Sequence, residues 1–258
     1  MGHPELDLSA KTAVVIGGTS GIGLAIAKGL AQAGANVIPT GRRAELVNAA
    51  AEQIKQLGRR TLSIPCDVTN HASVQSLCDA VRAEFGEAEI LVNCAGITKR
   101  KPTLDFSDSE WNSILETNLN GTLRACQIFG RHMIERNYGR IVNIASIASL
   151  VGLYEVAAYT ASKAAVAGLT RSLAVEWARY GVCVNAIAPG VFPTDLNAAL
   201  LDGTPRGEEF RLRTPMRRFG KLEELAGAAV FLSSDAASFV TGHLLVVDGG
   251  LLASGVNQ

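Results

Sequence analysis

Seven short apolar runs recur along the chain, and stretches with helical periodicity separate most of them. The runs are "TAVVI", "ANVIPT", "RTLSIPC", "EILVNC", "RIVNIAS", "VCVNAIAP" and "LLVVDGG". Successive residues within a run are apolar, which is typical of parallel strands covered on both faces and unlike the alternation of a half-exposed strand. The sequence therefore predicts an α/β fold, a doubly wound seven-stranded parallel sheet with helices on both faces.

The rhythm of strands and helices predicts a single domain over residues 1–258. No internal repeat, low-complexity tract or linker interrupts it as far as Pro189. The exception is residues 191–220, where prolines, glycines and charges alternate between the sixth and seventh predicted strands. We interpret this segment as a partly helical lid over a substrate site, and an ordinary surface insertion is the alternative.

Composition narrows the possible partners. Acidic and basic residues balance at 24 each, which argues against a nucleic-acid or anionic-membrane surface and favours a small-molecule substrate. The five cysteines are odd in number and never in Cys-x-x-Cys spacing, so neither a disulfide framework nor a metal site is expected. No signal peptide or run of membrane-spanning length is visible, and we expect a cytoplasmic protein.

A glycine-rich turn follows the first predicted strand. Gly17, Gly21 and Gly23 lie between that strand and an amphipathic helix in the stretch "GGTSGIGLAIAKGL". Glycine lets backbone N–H groups approach a pyrophosphate, and the positive end of the helix favours the same anion. The turn thus indicates a Rossmann-type dinucleotide site, although any strand-to-helix corner can use glycine.

The end of the second predicted strand distinguishes between two dinucleotides. An NAD site would place a carboxylate there for the ribose hydroxyls, but the sequence reads "PTGRRAEL". Arg42, with Arg43 beside it, can pair with a 2′-phosphate, so we predict NADP as the preferred cofactor with NAD possible. The alternative is a pair of solvated arginines. Further on, Asp67 could accept from an adenine amino group, and Asn93 and Gly96 end the fourth predicted strand.

The stretch "YTASK" places a phenol and an amine one helical turn apart. Tyr159 and Lys163 stand at positions i and i+4, so they share one face of a helix. Because tyrosine has an ordinary pKa near 10, its use as a base near neutral pH requires a lower pKa, which a neighbouring ammonium would favour. The pair therefore indicates an acid/base site, although this spacing also arises by chance on many helices.

Two polar residues strengthen that interpretation. Ser146 ends the fifth predicted strand, where α/β sheets hold their ligands, and its hydroxyl can orient a substrate carbonyl. Asn118 falls in a long apolar helix, where a buried amide needs partners and could hold a water beside Lys163.

Together these motifs resemble the short-chain dehydrogenase/reductase family over nearly the whole chain, from "GGTSGIG" through "NCAG", "TNLNG" and "APGVFPT" to "TGHLLVVDGG". The resemblance implies hydride transfer between a nicotinamide and a substrate carbon, with Tyr159 as acid/base, Lys163 bound to the nicotinamide ribose, Ser146 positioning the reacting oxygen and Asn118 in a water relay. It also implies that Asn93 supports the sheet and that Thr194 lies near the carboxamide. The cofactor-binding residues predicted in all are Gly17, Thr19, Ser20, Gly21, Ile22, Gly23, Arg42, Arg43, Asp67, Val68, Asn93, Ala95, Gly96, Tyr159, Lys163, Pro189, Gly190, Phe192 and Thr194.

Two positions depart from the family pattern. Ile16 replaces a threonine before the first glycine of the turn, and Cys94 replaces the second asparagine of the usual Asn-Asn-Ala-Gly. Neither change removes a catalytic group, so the departures bear on cofactor affinity.

For the substrate, "TPMRRFGK" and "VDGGLLA" resemble the branch containing gluconate 5-dehydrogenases and 2-deoxygluconate 3-dehydrogenases, so we expect a sugar acid or polyol. Lys99, Arg100 and Lys101 could attract an anionic substrate or could be solvated surface charges. Reduction of 3-oxoacyl or hydroxysteroid-type substrates would use the same catalytic residues and differ at pocket positions such as Ile147, Tyr154 and Phe192.

Functions of other classes also remain: a non-catalytic dinucleotide-binding redox sensor, or an epimerase or dehydratase that retains its cofactor. Small apolar residues around 108–136 and 156–180 are expected to pack against copies of the chain, and the family resemblance implies a homotetramer.

Overall fold

A computed structural model describes residues 4–194, 197–201 and 203–256. Its strands are β1 (Thr12–Ile16), β2 (Asn36–Thr40), β3 (Ile90–Asn93), β4 (Gly139–Ile144), β5 (Val182–Pro189) and β6 (Leu244–Val247). Its helices are α1 (Gly21–Gln32), α2 (Ala44–Gln56), α3 (His71–Phe85), α4 (Asp108–Leu115), α5 (Gly121–Glu135), α6 (Ala157–Trp177), α7 (Ala198–Leu201), α8 (Pro205–Arg213) and α9 (Glu224–Ser233).

All the strands in the described residues form one parallel sheet in the order β2-β1-β3-β4-β5-β6. Neighbouring residues of a strand enter different cores: Val15 packs with α1 and α9 on one face, whereas Val14 packs with α3, α5 and α6 on the other. Burial on both faces explains why the runs are continuously apolar. The predicted α/β fold with helices on both faces is confirmed.

The predicted seventh strand is wrong. The run "RTLSIPC" passes beside β2 without forming a strand, and its backbone bonds to that side only near its ends, where Val37 N–H donates to Arg60 C=O and Cys66 N–H donates to Gly41 C=O. Between Val37 and Gly41, the residue of β2 that faces the run is Pro39, which has no N–H to donate. One bond of a regular ladder is therefore missing there, and the described residues contain six strands.

Local signals in the sequence account for the helix ends. Asn70 begins α3 by accepting from the Ser73 N–H at 3.2 Å, and Ser107 with Glu110 forms a capping box at the start of α4. In the predicted lid, Thr204 caps α8 and Pro205 is its first residue. Residues 191–220 are partly helical as predicted, in so far as the structure describes them.

A π-helical turn, Glu116–Asn120, joins α4 to α5. Its insertion into an otherwise continuous helix turns Asn118 inward, where its side chain is fully buried. Wide turns of this kind occur often at functional sites. The sequence "ETNLN" carries no proline or glycine that would have predicted it.

Candidate active site

The carboxyl edge of the sheet holds a cleft of about 630 Å³. It is bordered by the turn after β1, the ends of β2 and β3, and the segment that runs beside β2. Of the predicted cofactor residues, the cleft lining contains Gly17, Thr19, Ser20, Gly21, Ile22, Gly23, Arg42, Arg43, Asp67, Val68, Ala95, Gly96 and Thr194. Ligands of open α/β sheets bind at this edge.

The backbone of the turn after β1 packs closely against the backbone that follows β3. Gly17 has a φ of +83°, and a Cβ there would lie 2.5 Å from the Ala95 nitrogen. Ser20 begins α1, yet its side chain makes no capping hydrogen bond. The first N–H groups of a 12-residue helix therefore point into the cleft without a side-chain cap, an arrangement that suits a phosphate.

Charged groups at the other end of the cleft differ in how they are partnered. Asp67 accepts from the backbone N–H and the hydroxyl of Thr69, at 2.9 and 2.8 Å, and these bonds hold the pKa of its carboxyl below the usual value. Arg42 and Arg43 are both exposed, and neither makes an ion pair with any residue that the structure describes. The cleft thus offers guanidinium groups free to bind an anion.

Six predicted cofactor residues are absent from the lining of this cleft: Tyr159 and Lys163, which lie beside it, and Asn93, Pro189, Gly190 and Phe192. Asn93 donates to Asn143 Oδ1 at 2.9 Å in a buried network between β3 and β4, which agrees with support of the sheet. Pro189 and Gly190 end β5 against Asp248, whose Cα would be 2.7 Å from a Cβ on Gly190. Phe192 is buried and packs in the core with α9, away from the lining of this cleft.

The four predicted catalytic residues converge beside the cleft. Ser146 follows β4 and is buried, and Tyr159 and Lys163 lie on one face of α6. The Lys163 amine and the Asn118 amide meet at Gly96, where a Cβ would be 3.5 and 3.4 Å from them. Three elements distant in sequence therefore supply one polar cluster at the carboxyl edge of the sheet.

The hydroxyl groups of Ser146 and Tyr159 lie near each other. Ser146 Oγ accepts from the Ala148 N–H at 3.1 Å, which fixes its rotamer. Burial raises the pKa of Tyr159 above its ordinary value, and the nearby Ser146 hydroxyl, which favours the phenolate, offsets only part of that rise. At neutral pH the phenol therefore keeps its proton.

The expectation that Lys163 lowers the pKa of Tyr159 is wrong for the protein by itself. The Lys163 Nζ lies 5.8 Å from the centre of the Tyr159 ring and donates instead to the Ile144 carbonyl at 2.6 Å. Burial also lowers the pKa of Lys163 to about 8, so the amine is still mostly protonated at neutral pH but gives up its proton more readily than a free lysine. Cys94, one of the departures from the family pattern, lies nearby, and burial raises the pKa of its thiol to about 11.

Asn118 holds the site together through its side-chain amide. It accepts from the Ile97 N–H at 2.8 Å and donates to the Ile97 carbonyl at 2.9 Å and to the Ser162 hydroxyl at 3.0 Å. Ser162 in turn donates to the Tyr159 carbonyl at 2.7 Å. Both donors of the amide are used by protein groups, so a water beside Lys163 could reach only the second lone pair of Oδ1.

The sequence did not single out Ser162, although it stands three residues after Tyr159 in the quoted "YTASK". The signal that could have identified Ser162 is its spacing of three residues from Tyr159, which places it close to that residue on the helix. The other missed residue is Arg124, which donates to the Val68 carbonyl and to Glu116 and so fixes one wall of the cleft. Among the described residues, no group of three His, Cys, Asp or Glu side chains is placed to hold a metal ion.

The basic residues after β3 are paired. Lys99 and Lys101 both bind Glu110, the latter at 3.0 Å, and Arg100 binds Glu155 at 2.8 Å. Of the other predicted pocket positions, Ile147 is buried, whereas Tyr154 is largely exposed.

Comparison with known proteins agrees with this geometry. Residues 17–252 match the family described as Enoyl-(Acyl carrier protein) reductase. Gluconate 5-dehydrogenase of Gluconobacter oxydans (strain 621H) is 42% identical, with 98% of this chain and 100% of that protein covered. The chain belongs to the short-chain dehydrogenase/reductase family.

Further relatives of this short-chain dehydrogenase/reductase differ in substrate. D-threitol dehydrogenase of Mycolicibacterium smegmatis (strain ATCC 700084 / mc(2)155) is 44% identical, with 95% of this chain and 94% of that protein covered. The crystal structure of a gluconate 5-dehydrogenase from Burkholderia cenocepacia J2315 in complex with NADP and tartrate has a TM-score of 0.93 at 40% identity, covering 97% of this chain and 98% of that one. The predicted oxidoreductase acting on CH–OH donors is confirmed.

Proposed function

We propose that this protein interconverts a secondary alcohol and a ketone on a sugar acid or polyol, with NADP(H) as the preferred hydride carrier. The observation that carries the proposal is the proximity of the Ser146 and Tyr159 hydroxyls beside the cleft. Two hydroxyls at one point can bind a single substrate oxygen, one by orienting it and the other by exchanging a proton with it. The relatives named above support the substrate class.

The cleft fits a dinucleotide. The glycine turn and the start of α1 would hold its pyrophosphate, Asp67 its adenine, and Thr194, whose methyl group would lie 3.1 Å from a Cβ on Gly21, its nicotinamide half. Arg42 and Arg43 favour a 2′-phosphate because no carboxylate replaces them at the end of β2. NAD remains possible as a weaker ligand. When bound, the nicotinamide supplies or accepts the hydride.

Each of the four side chains has a separate role in proton transfer or positioning. In ketone reduction, Tyr159 is protonated at neutral pH and donates its proton to the developing alkoxide, while Ser146 orients that oxygen. Lys163 would bind the ribose, and its positive charge favours the phenolate that is left behind. Asn118 acts through Ser162 and Ile97 by fixing the helix that carries the phenol.

The predicted lid and assembly are part of the same proposal. Residues 191–220 would close over the substrate, with α8 as the part of the lid nearest the loop before Tyr159, since Arg206 donates to the Tyr154 carbonyl at 3.2 Å. We expect a homotetramer, and exposed apolar side chains such as Phe239 and Val175 support self-association.

The five cysteines are free thiols, which supports a reducing compartment such as the cytoplasm. No helix in the part of the chain that the structure describes is long and apolar enough to cross a membrane.

A substrate panel assayed with NADPH and NADH tests the proposal. The panel contains sugar acids, polyols, a 3-oxoacyl thioester and a hydroxysteroid with their keto forms, and Tyr159→Phe serves as the control. We expect turnover of a sugar acid or polyol pair, with NADPH preferred, and a loss of at least 100-fold in kcat for Tyr159→Phe. Tight cofactor binding without turnover of any substrate would instead support a redox sensor.

The cofactor preference has its own control. Arg42→Ala is expected to reduce the ratio of NADPH to NADH affinity by about tenfold or more, because a charge-assisted bond to phosphate is lost. If this ratio stays unchanged in both Arg42→Ala and Arg43→Ala, the cofactor assignment is wrong.

A further inference from the structure

A second cavity, of about 770 Å³, lies between the loop Val151–Tyr154, helix α8 and the residues around Leu251. The loop that lines it begins five residues after Ser146 and ends five residues before Tyr159. One wall of the cavity is therefore the segment that connects the two catalytic hydroxyls. Its opposite wall belongs to α8 of the predicted lid.

Three guanidinium groups but only two carboxylates gather around this cavity. Arg100 is paired with Glu155 at 2.8 Å, and Arg213 is paired with Glu209 at 2.9 Å. The third guanidinium is that of Arg206, which makes no ion pair with the residues that the structure describes. Each neighbouring carboxylate is thus already engaged by another arginine.

Arg206 is held in place and partly buried. Its Nη1 donates to the Tyr154 carbonyl at 3.2 Å, and its guanidinium lies 5.5 Å from the centre of the Phe210 ring. Burial and the positive charge of Arg100 lower its pKa, and the carboxylates of Glu155 and Glu209 offset part of that fall. An anion beside the guanidinium would favour its charge further, and a planar fork of N–H donors suits a carboxylate.

The neighbouring loop adds to this excess of positive charge. Lys99 and Lys101 share the single carboxylate of Glu110. The approach to the cavity therefore attracts anions more strongly than the neutral charge of the whole chain suggests.

We propose that Arg206 binds the carboxylate of a sugar-acid substrate and so sets the preference of this enzyme for sugar acids over neutral polyols. The inference rests on the proposed function and deepens it. It addresses a choice that the relatives leave open, since the chain is similar both to a gluconate dehydrogenase and to a threitol dehydrogenase. The catalytic hydroxyls do not make this choice, because the oxygen that they would bind is present in both classes of substrate.

Steady-state kinetics of the oxidation of D-gluconate and D-threitol, with NADP+ as the hydride acceptor, test the assignment. For Arg206→Gln we expect kcat/KM to fall at least tenfold with D-gluconate and to stay within about twofold with D-threitol. Arg206→Lys keeps the charge but not the planar fork, so an intermediate loss is expected. The control is Arg211→Gln: this arginine lies on the same helix, pairs with Glu208 at 3.3 Å and does not line the cavity.

Equal losses on both substrates, no loss on D-gluconate, or a wild-type enzyme that prefers D-threitol would overturn the inference while leaving the proposed function standing. If the wild type turns over neither compound, the inference is tested by measuring the affinity for a carboxylate ligand instead. Tartrate, a dicarboxylate, is titrated calorimetrically into the NADPH-bound protein. A tenfold or greater loss of affinity in Arg206→Gln supports the carboxylate site, and equal affinities overturn it.

Discussion

At the scale of single residues, the site depends on buried polar groups whose partners are all protein atoms. The amide of Asn118, the hydroxyl of Ser162 and the carbonyl of Tyr159 form one hydrogen-bonded chain, and Lys163 is held by Ile144. Such networks are rigid when every member is satisfied and costly when one is removed. Asn118 and Ser162 therefore help to position the phenol through the backbone of the helix that carries it.

The first prediction concerns Ser162→Ala. The change leaves an Nδ2 donor of Asn118 without an acceptor in a fully buried place, and we expect a loss of about 1–3 kcal/mol in the free energy of unfolding. Because the support of Tyr159 is loosened, kcat should fall more than the cofactor Kd rises. Urea denaturation and steady-state kinetics measure the two effects. Ser172→Ala, exposed on the same helix, should change stability by less than about 0.5 kcal/mol.

A second prediction follows from the pKa of Lys163, which burial lowers from 10.5 to about 8. Below pH 8 the folded protein carries a buried charge that the unfolded chain solvates freely, so the group opposes folding. Between pH 8 and 10.5 the unfolded chain binds more protons, and this penalty is relieved by about 3 kcal/mol as the pH rises. The free energy of unfolding of the wild type relative to Lys163→Met should therefore increase from pH 8 to pH 10; a flat or falling difference would contradict the assignment.

The sequence correctly predicted the positions of residues that a motif places on one helix face. It did not predict the direction of a pKa shift that depends on how the helix packs. Tyr159 and Lys163 share a helix face, as their spacing requires. The direction of the tyrosine pKa was wrong because burial and the 5.8 Å separation depend on how α6 packs. The role of Arg206 could not be predicted, because it depends on Glu155 and Glu209 forming ion pairs with Arg100 and Arg213 in the folded protein.

At the scale of secondary structure, the parallel sheet brings the ends of several segments to one edge. Gly17, Ala95 and Ser146 follow β1, β3 and β4, and these strands are paired in register. Continuous apolar runs predicted these strands well, because burial on both faces leaves a clear pattern. The π-helical turn could not be predicted in this way, since the residues of "ETNLN" suit an ordinary helix equally well.

The turn after β1 gives a third prediction, through a matched pair of glycines. Gly17 and Gly58 both have positive φ, +83° and +74°, so alanine at either position should cost about 1–2 kcal/mol of stability. A Cβ at Gly58 meets nothing within 4 Å, whereas at Gly17 it would collide with the Ala95 backbone. We expect Gly17→Ala to weaken NADPH binding at least tenfold in fluorescence titrations and Gly58→Ala to leave it unchanged. Equal affinities of both variants would show that the turn does not hold the cofactor.

At the scale of the whole molecule, exposed apolar surface on α6 supports the proposed self-association of the chain. The Val175 side chain is 83% exposed on that helix, although it lies among residues expected to pack against other copies. Burying it in an interface between copies would be favourable by the hydrophobic effect.

The fourth prediction is that Val175→Glu shifts the proposed homotetramer toward smaller species at micromolar concentration, as measured by light scattering. A charge buried in an apolar interface is strongly unfavourable, so the subunits should separate. Leu104→Glu changes a residue that is 99% exposed in the 3-10 turn Thr103–Asp105, away from α6, and serves as the control. If both variants keep the wild-type mass, α6 is not the interface.

Pro39, which breaks the ladder beside β2, has a consequence outside catalysis. The margin of a sheet is a template on which a neighbouring chain can grow by adding another strand. In the folded protein residues 60–66 lie along that margin and Pro39 is buried, so a foreign strand could add there only after this segment had moved away. In a partly denatured sample where that has happened, the missing N–H of Pro39 would still deprive the foreign strand of one bond, and replacing Pro39 with valine should make fibrous aggregation easier.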